Sequence, residues 1–380
     1  MPKTYACPVH LIRLLLVGGL CFGSSLLLCA QSTDSQGGDQ SWNATTDVNS
    51  NNANPTRTVE SHTQSGNRML DTHSLQRRGA DGQFEPYQDI ETETVKVNST
   101  TARTTTRTFG RDSNGAKILV QVREEEKKTL AGGDSSITRV VSNPDADGRL
   151  QPVQREIEQT KKVGENVEET KKTVLLPGVN GDLAPAMQTQ ERRVQGTNGK
   201  VESQKTTLLP DGSGNWQVSE TRHATTTQDG RNRSTEERVS RLDGDGKLSE
   251  VSRTVTRESE NAAGEKSDTT EVYSVDVPGS ARDGSMHLVE RATTAQSIGV
   301  GGQKITEHQV RQPDPGDPDA GLRVTLQTSD TVRPGSSGSK ATRTIQALDP
   351  NGDLTVVSVD TTKSDHSAVQ VQIAPAENKK

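Results

Sequence analysis

Apolar and polar positions recur along this chain with a fixed step. Segments about a dozen residues long, rich in Thr, Val, Arg, Glu and Gln, open on a short apolar cluster and end in a polar turn. Turn glycines fall at Gly82, Gly115, Gly148, Gly181 and Gly214 at even steps of 33, and continue less evenly at Gly246, Gly284, Gly321 and Gly352. The flanks repeat too. Residues 83–87, 149–153 and 182–186 share one frame, with Phe84, Leu150 and Leu183 second after the glycine. Trp216, Leu248, Met286 and Leu354 take that same place later. Thr173–Gly178 matches Thr206–Asp211 at the same shift. Self-similarity at a fixed period marks a repeat architecture, in which each unit is one supersecondary element.

A second turn divides each unit. These turns are at 131–134, 163–166, 196–199, 228–230, 261–264, 299–302 and 334–335, and each contains glycine. Gly, Asn and Asp tolerate the positive φ of tight turns, so Asx-Gly between β-rich segments signals a hairpin. The pattern predicts an all-β fold of tandem 33-residue β-hairpin repeats, forming an elongated antiparallel sheet or a solenoid-like array. Two runs, 121–128 and 154–162, have charge spacing that also suits a helix. Their β-rich surroundings and length favour strands. Leu150 and Val153 are three apart where a strand repeats every two, so a bulge or bend is expected near Pro152.

Composition narrows the core. Hydrophobic residues make up 28% of the chain and aromatics 2%. That is too little for a thick interior. A repeat array needs only a thin apolar seam between units. The same composition suits disorder, against which stand the evenly spaced turns.

The N-terminus is a separate object. Lys3 and Arg13 precede an apolar run from Leu14 to Leu28, and Leu28-Cys29-Ala30 offers a cleavage site. Residues 1–30 therefore read as a signal peptide of an exported protein. An uncleaved anchor and acylation at Cys29 are the alternatives, the latter disfavoured by Leu28 where a small residue is expected. Cys7, Cys21 and Cys29 all lie here, so the rest of the chain has no disulfide. Residues 31–78 are polar and nearly free of apolar side chains, and read as a disordered linker. The array occupies 79–366, and 367–380 form the end of the last strand and a frayed tail. No membrane span is expected after signal cleavage.

Net charge is −6 for the whole chain and −8 once Lys3 and Arg13 are removed with the leader, mixed in sign along its length. No basic block survives, and nucleic acid is excluded as a partner.

Candidate chemistry is sparse. Asn143, Asp145, Asp147 and Gly148 open like a calcium loop, but its twelfth position is Gln154, without the bidentate carboxylate. Asp112 with Asn114, Asp243 with Asp245, and Asp349 with Asn351 are fragments of the same pattern, better read as turn formers. His62, His73, His223, His287, His308 and His366 occupy different places in their units and show no ligand spacing. Residues 299–302 resemble a phosphate loop only weakly, and Glu124, Glu125 and Glu126 read as a solvated face. Asn43, Asn98 and Asn232 match the glycosylation acceptor. Trp42 and Trp216 have the chemistry to stack on sugars, although Trp216 sits at the repeat's ordinary apolar place. No catalytic, metal or cofactor residue is assigned.

With these repeats and this leader, the chain resembles uncharacterised exported bacterial β-hairpin repeat proteins, a resemblance that implies no activity. The expectation is a non-enzymatic exported protein of the periplasm, cell surface or medium. Its role would be structural or interaction-based (adhesion or scaffold), with another envelope protein or a glycan as partner and end-to-end association through open sheet edges. The alternatives are a calcium-stabilised ligand- or glycan-binding module and, third, a glycan hydrolase on a β scaffold.

Overall fold

The computed structural model of the chain describes residues 39–275, 285–314, 316–335, 338–349 and 351–372. The signal-peptide reading, the turn at Gly284 and the tail from residue 373 lie outside the described residues.

Twenty strands follow one another: β1 (Asp39–Ser50), β2 (Thr56–Ser65), β3 (Arg68–Arg78), β4 (Phe84–Lys96), β5 (Thr101–Arg111), β6 (Lys117–Thr129), β7 (Ser135–Pro144), β8 (Leu150–Gly164), β9 (Val167–Pro177) and β10 (Leu183–Gln195). Then come β11 (Val201–Pro210), β12 (Trp216–Asp229), β13 (Asn232–Leu242), β14 (Leu248–Glu260), β15 (Lys266–Ser274), β16 (His287–Ile298), β17 (Lys304–Asp314), β18 (Asp317–Pro334), β19 (Gly338–Leu348) and β20 (Leu354–Gln372). Each pairs antiparallel with its sequence neighbours. The charged runs 121–128 and 154–162 lie within β6 and β8, so the all-β expectation holds.

Closure is what the repeat did not announce. β1 pairs with β2 on one side and with β20 on the other, Thr46 opposite Ser364 and Val48 opposite Thr362. The sheet is a barrel, not an elongated open array. Antiparallel sheets have free edges unless they close, and closure leaves none for end-to-end growth.

The expected linker is also corrected: β1, β2 and β3 occupy most of 39–78. These strands have little to bury, and nothing in a hollow wall requires it. Polar partners hold them instead. Arg57 donates two hydrogen bonds to Asp47 at 2.6 and 2.9 Å, Ser61 and Thr72 hydroxyls meet at 2.6 Å, and Trp42 stacks on His62 at 5.7 Å between ring centres.

The turns obey the expected chemistry. Asp145 N–H donates to Arg149 C=O, Gly148 N–H donates to Asp145 C=O, and Asp145 Oδ1 accepts from the N–H of Asp147 and of Arg149. Gly148 takes φ of 78°. That region is open to glycine at little cost. The same bonds recur at Asp112, Asp243, Asn261 and Asp349. The turn placed at Gly321 falls instead between Asp314 and Asp317, which pair with each other.

Bulges repeat as regularly as turns. Unpaired extra residues interrupt the even strands at Tyr87, Val120, Val153, Ala186, Ser219, Val251, Val289, Thr325 and Val357. The one expected near Pro152 is at Val153. All lie close to the same rim, the end where odd strands turn into even ones; bulges are common at barrel rims because they bend and twist the strand.

Candidate functional site

Register assigns every strand residue to one of two faces. Arg123, Glu125 and Lys127 share a face with Val141, Arg139 and Ile137, and then with Gln154, Glu156 and Glu158. On β8 this set (Gln154, Glu156, Glu158, Thr160) is half-buried, while the alternating Arg155, Gln159 and Lys161 are exposed. Side chains crowd on the concave side of a curved wall and fan apart on the convex side. The first set therefore faces the lumen.

The outward face carries an apolar belt next to the bulged rim. Leu150 and Pro152 on β8, Leu183 and Pro185 on β10, Trp216 and Val218 on β12, and Leu354 and Val356 on β20 all point outward by register. Odd strands add Phe109, Leu175, Leu208, Leu242, Tyr273 and Leu348. These side chains stand in the open: Leu150 is 46% exposed, Trp216 36% and Val356 53%. Between them lie inward residues that are mostly polar, such as Gln151, Gln217, Ser249 and Thr355. The positions read from sequence as a buried seam are thus an exposed apolar surface, and Trp216 is part of it. On each of these even strands the belt spans three residues, with its two outward positions apolar.

Below the belt polar residues predominate on both faces. Inward, Arg139 bonds Glu125 at 2.6 Å and reaches Glu158 at 3.2 Å and Glu156 at 3.4 Å, and Lys172 meets Glu156 at 2.9 Å. Glu220 holds Arg222 and Arg241, and Asp330 grips Arg343 through two bonds. Threonine rows line the same side, Thr92 with Thr106 and Thr94 with Thr104. Outward, Arg103 pairs with Glu126, and Arg257 and Arg291 converge on Glu271.

The sequence candidates are scattered by this geometry. Asp145 points its Oδ1 at two backbone N–H groups, which hold its carboxyl below the ordinary aspartate range, the bond from Arg149 being the largest cause. Backbone donors likewise lower Asp211, from Ser213, and Asp243, from Lys247. Those oxygens serve the turn. No group of three or more His, Cys, Asp or Glu is placed to hold a metal among the described residues. His62 bonds Asp71 at 2.6 Å, His73 bonds Glu60 at 3.1 Å, and His308 meets Thr294 at 3.1 Å, in separate places. The side chain of His366 is outside the described residues. Glu125 faces inward, Glu124 and Glu126 outward. Residues 299–302 close the β16–β17 hairpin, and Asn98 Oδ1 accepts from Thr100 in a turn.

No family model and no curated protein matches the chain. Solved structures similar in outline include a copper transporter, OprC, with a TM-score of 0.45 and 6% identity over 88% of this chain and 81% of that one. Another is OccK5 (OpdH) of Pseudomonas aeruginosa, with a TM-score of 0.41 and 9% identity over 87% and 98%. A third is the siderophore receptor PirA of Pseudomonas aeruginosa, with a TM-score of 0.45 and 7% identity over 88% and 81%. The barrel described above rests on strand pairing and not on these similarities.

Two expectations fall with closure. A soluble adhesion or scaffold array relied on a long open face and free edges, and the β1–β20 pairing removes them; the calcium reading rested on the Asp-rich turns, where Asp145 Oδ1 is taken by backbone N–H groups. The expected absence of a membrane span is corrected with it: a closed antiparallel wall is a form that can cross a membrane with strands, and this one wears an apolar belt outside.

Proposed function

We propose that the chain is a conduit for polar solutes in a bacterial outer membrane. Its closed wall surrounds a water-filled lumen, and it catalyses no reaction. The single observation that carries the reading is the pairing of β1 with β20, which turns twenty hairpin-linked strands into a tube. Two features support it. Only a sheet without edges can satisfy its backbone in hydrocarbon, and the wall has none. The inward face is lined with paired charges and hydroxyls, as a wetted passage requires. The outward belt seats the bulged rim. With two outward apolar positions on each even strand it is shorter than the apolar band of about 25 Å typical of such walls. The difference is met by local thinning of the bilayer and by the long Arg and Lys stems beneath the belt reaching for head groups.

The test is conductance. Refolded full-length protein is added to a planar bilayer, and discrete, ohmic current steps in potassium chloride are the expected result. Protein that stays in the aqueous phase of a vesicle flotation gradient and leaves the bilayer silent overturns the reading.

A further inference from the structure

On the outward face of β8–β11, below the belt, lies an open cleft of about 450 Å³. Two registered rows line it. One runs Gln159, Lys171, Gln190 and the other Lys161, Glu169, Arg192, Gln204. Glu169 stands directly opposite Lys161, yet its carboxylate is engaged by Arg192 at 3.6 Å. Neither Lys161 nor Lys171 has a carboxylate in ion-pair range among the described residues. Glu191 also borders the cleft, but register turns it inward and Ser203 donates to it at 2.9 Å. Two free ammonium groups on adjacent strands, on backbones about 7–8 Å apart along the diagonal, thus flank an arginine and three primary amides.

One repeat earlier, the places of Gln159, Lys161 and Lys171 hold Glu126, Lys128 and Thr138.

We propose that this cleft binds a phosphorylated polyol. Lys161, Lys171 and Arg192 meet the phosphate as point charges and a planar fork, and the amides of Gln159, Gln190 and Gln204 donate to and accept from the hydroxyls. The cleft shares its face with the apolar belt, so a phosphate–polyol head group attached to acyl chains also fits, with its chains lying along the wall. That second source rests on the membrane reading given above; the recognition chemistry does not.

The experiment separates the two sources without using conductance. Full-length protein in neutral detergent is titrated by calorimetry with glycerol 1-phosphate, with glycerol as control. In parallel its flotation is compared on vesicles with and without phosphatidylglycerol. The variants are K161Q/K171Q and, as a control on the inward face, K127Q. The expected result is binding of glycerol 1-phosphate but not glycerol, weakened at least about tenfold in K161Q/K171Q and unchanged in K127Q, the scale expected for loss of charge-assisted hydrogen bonds. Binding confined to phosphatidylglycerol vesicles and lost in the same double variant also supports the site and names the lipid as its source. Equal binding by K161Q/K171Q and the parent, or no binding of either probe, overturns it. A circular dichroism melt of the double variant matching the parent shows that folding is intact.

Discussion

Replacing Thr46 and Ser364 with cysteine tests whether the wall closes. The two residues pair in register across β1 and β20, and their hydroxyl oxygens are 3.3 Å apart. Registered antiparallel partners have Cα atoms about 4.5–5.5 Å apart, inside the window of about 4.4–6.8 Å that a disulfide accepts. Laid flat, the same strands at about 4.8 Å spacing would hold these residues roughly 90 Å apart. The bridge would join positions 318 apart in sequence. The chain-entropy model gives about 4.7 kcal/mol for a loop of about 100 residues and about 5.7 kcal/mol for one of this length, from which bridge strain subtracts.

The assay uses a chain in which Cys7, Cys21 and Cys29 are serine, so that the two new thiols stand alone. Mild oxidation should leave no free thiol, move the monomer faster on a non-reducing gel, and raise the melting temperature by about 5 °C or more. Two titratable thiols after oxidation, or cross-links only between molecules, would refute closure and with it the conduit.

The outward belt predicts an asymmetry between neighbours in sequence. L150R puts a guanidinium on the lipid side, at a cost of up to about 2–4 kcal/mol depending on depth, whereas Q151R puts it in the lumen. Vesicle flotation should fall for the first and hold for the second; equal loss in both would contradict the assignment of faces. Acid should loosen one rim. Asp145, Asp211 and Asp243 have carboxyls lowered in the fold. Their contribution is therefore complete above the unfolded value of about 3.9 and is lost as pH falls through the lowered folded values. Between about pH 5 and pH 2 the melting temperature of D145N/D211N/D243N should fall less steeply than the parent's. Asparagine keeps the acceptor oxygen without the titration, as Asn261 already does. Identical slopes would mean these carboxylates do not hold their turns.

Much of the wall was legible because its signals are local. An Asp or Asn three residues before a glycine is a turn wherever it occurs, and the step between such turns counts strands and names neighbours. The three early strands left no such trace, since Arg57 with Asp47 and Ser61 with Thr72 are ordinary polar residues until register brings them together. The β1–β20 pairing is the least local contact in the fold and has no counterpart in the spacing. The belt was visible but misread. In Leu150-Gln151-Pro152, Trp216-Gln217-Val218 and Leu354-Thr355-Val356 the apolar residues alternate with polar ones beside each turn, which marks a face. The notion of a thin buried seam drew them inward instead.

The repeat length itself is set by the tilt of the strands. Arg123 pairs with Val141, which pairs with Gln154, so two strands on the register returns at a step of 31, while the bulges Val120 and Val153 are 33 apart. Further along, Arg222 reaches Ser252 through Val239 at a step of 30, against 32 between the bulges Ser219 and Val251. Thr254 reaches Glu290 through Val272 at a step of 36, against 38 between Val251 and Val289. The unit length varies and the difference of two does not. From β4 to β20 each strand therefore advances by one residue, and a barrel whose shear is close to its strand number inclines its strands by about 36°. Turn length is free, whereas stagger is common to every strand that must close on the first. Two residues inserted between Asn198 and Gly199 should thus leave the melt unchanged. One threonine inserted after Lys205 moves half of β11 onto the wrong face, and should abolish the cooperative melt. A cooperative melt in the second variant at the parent's temperature would show that stagger does not govern closure.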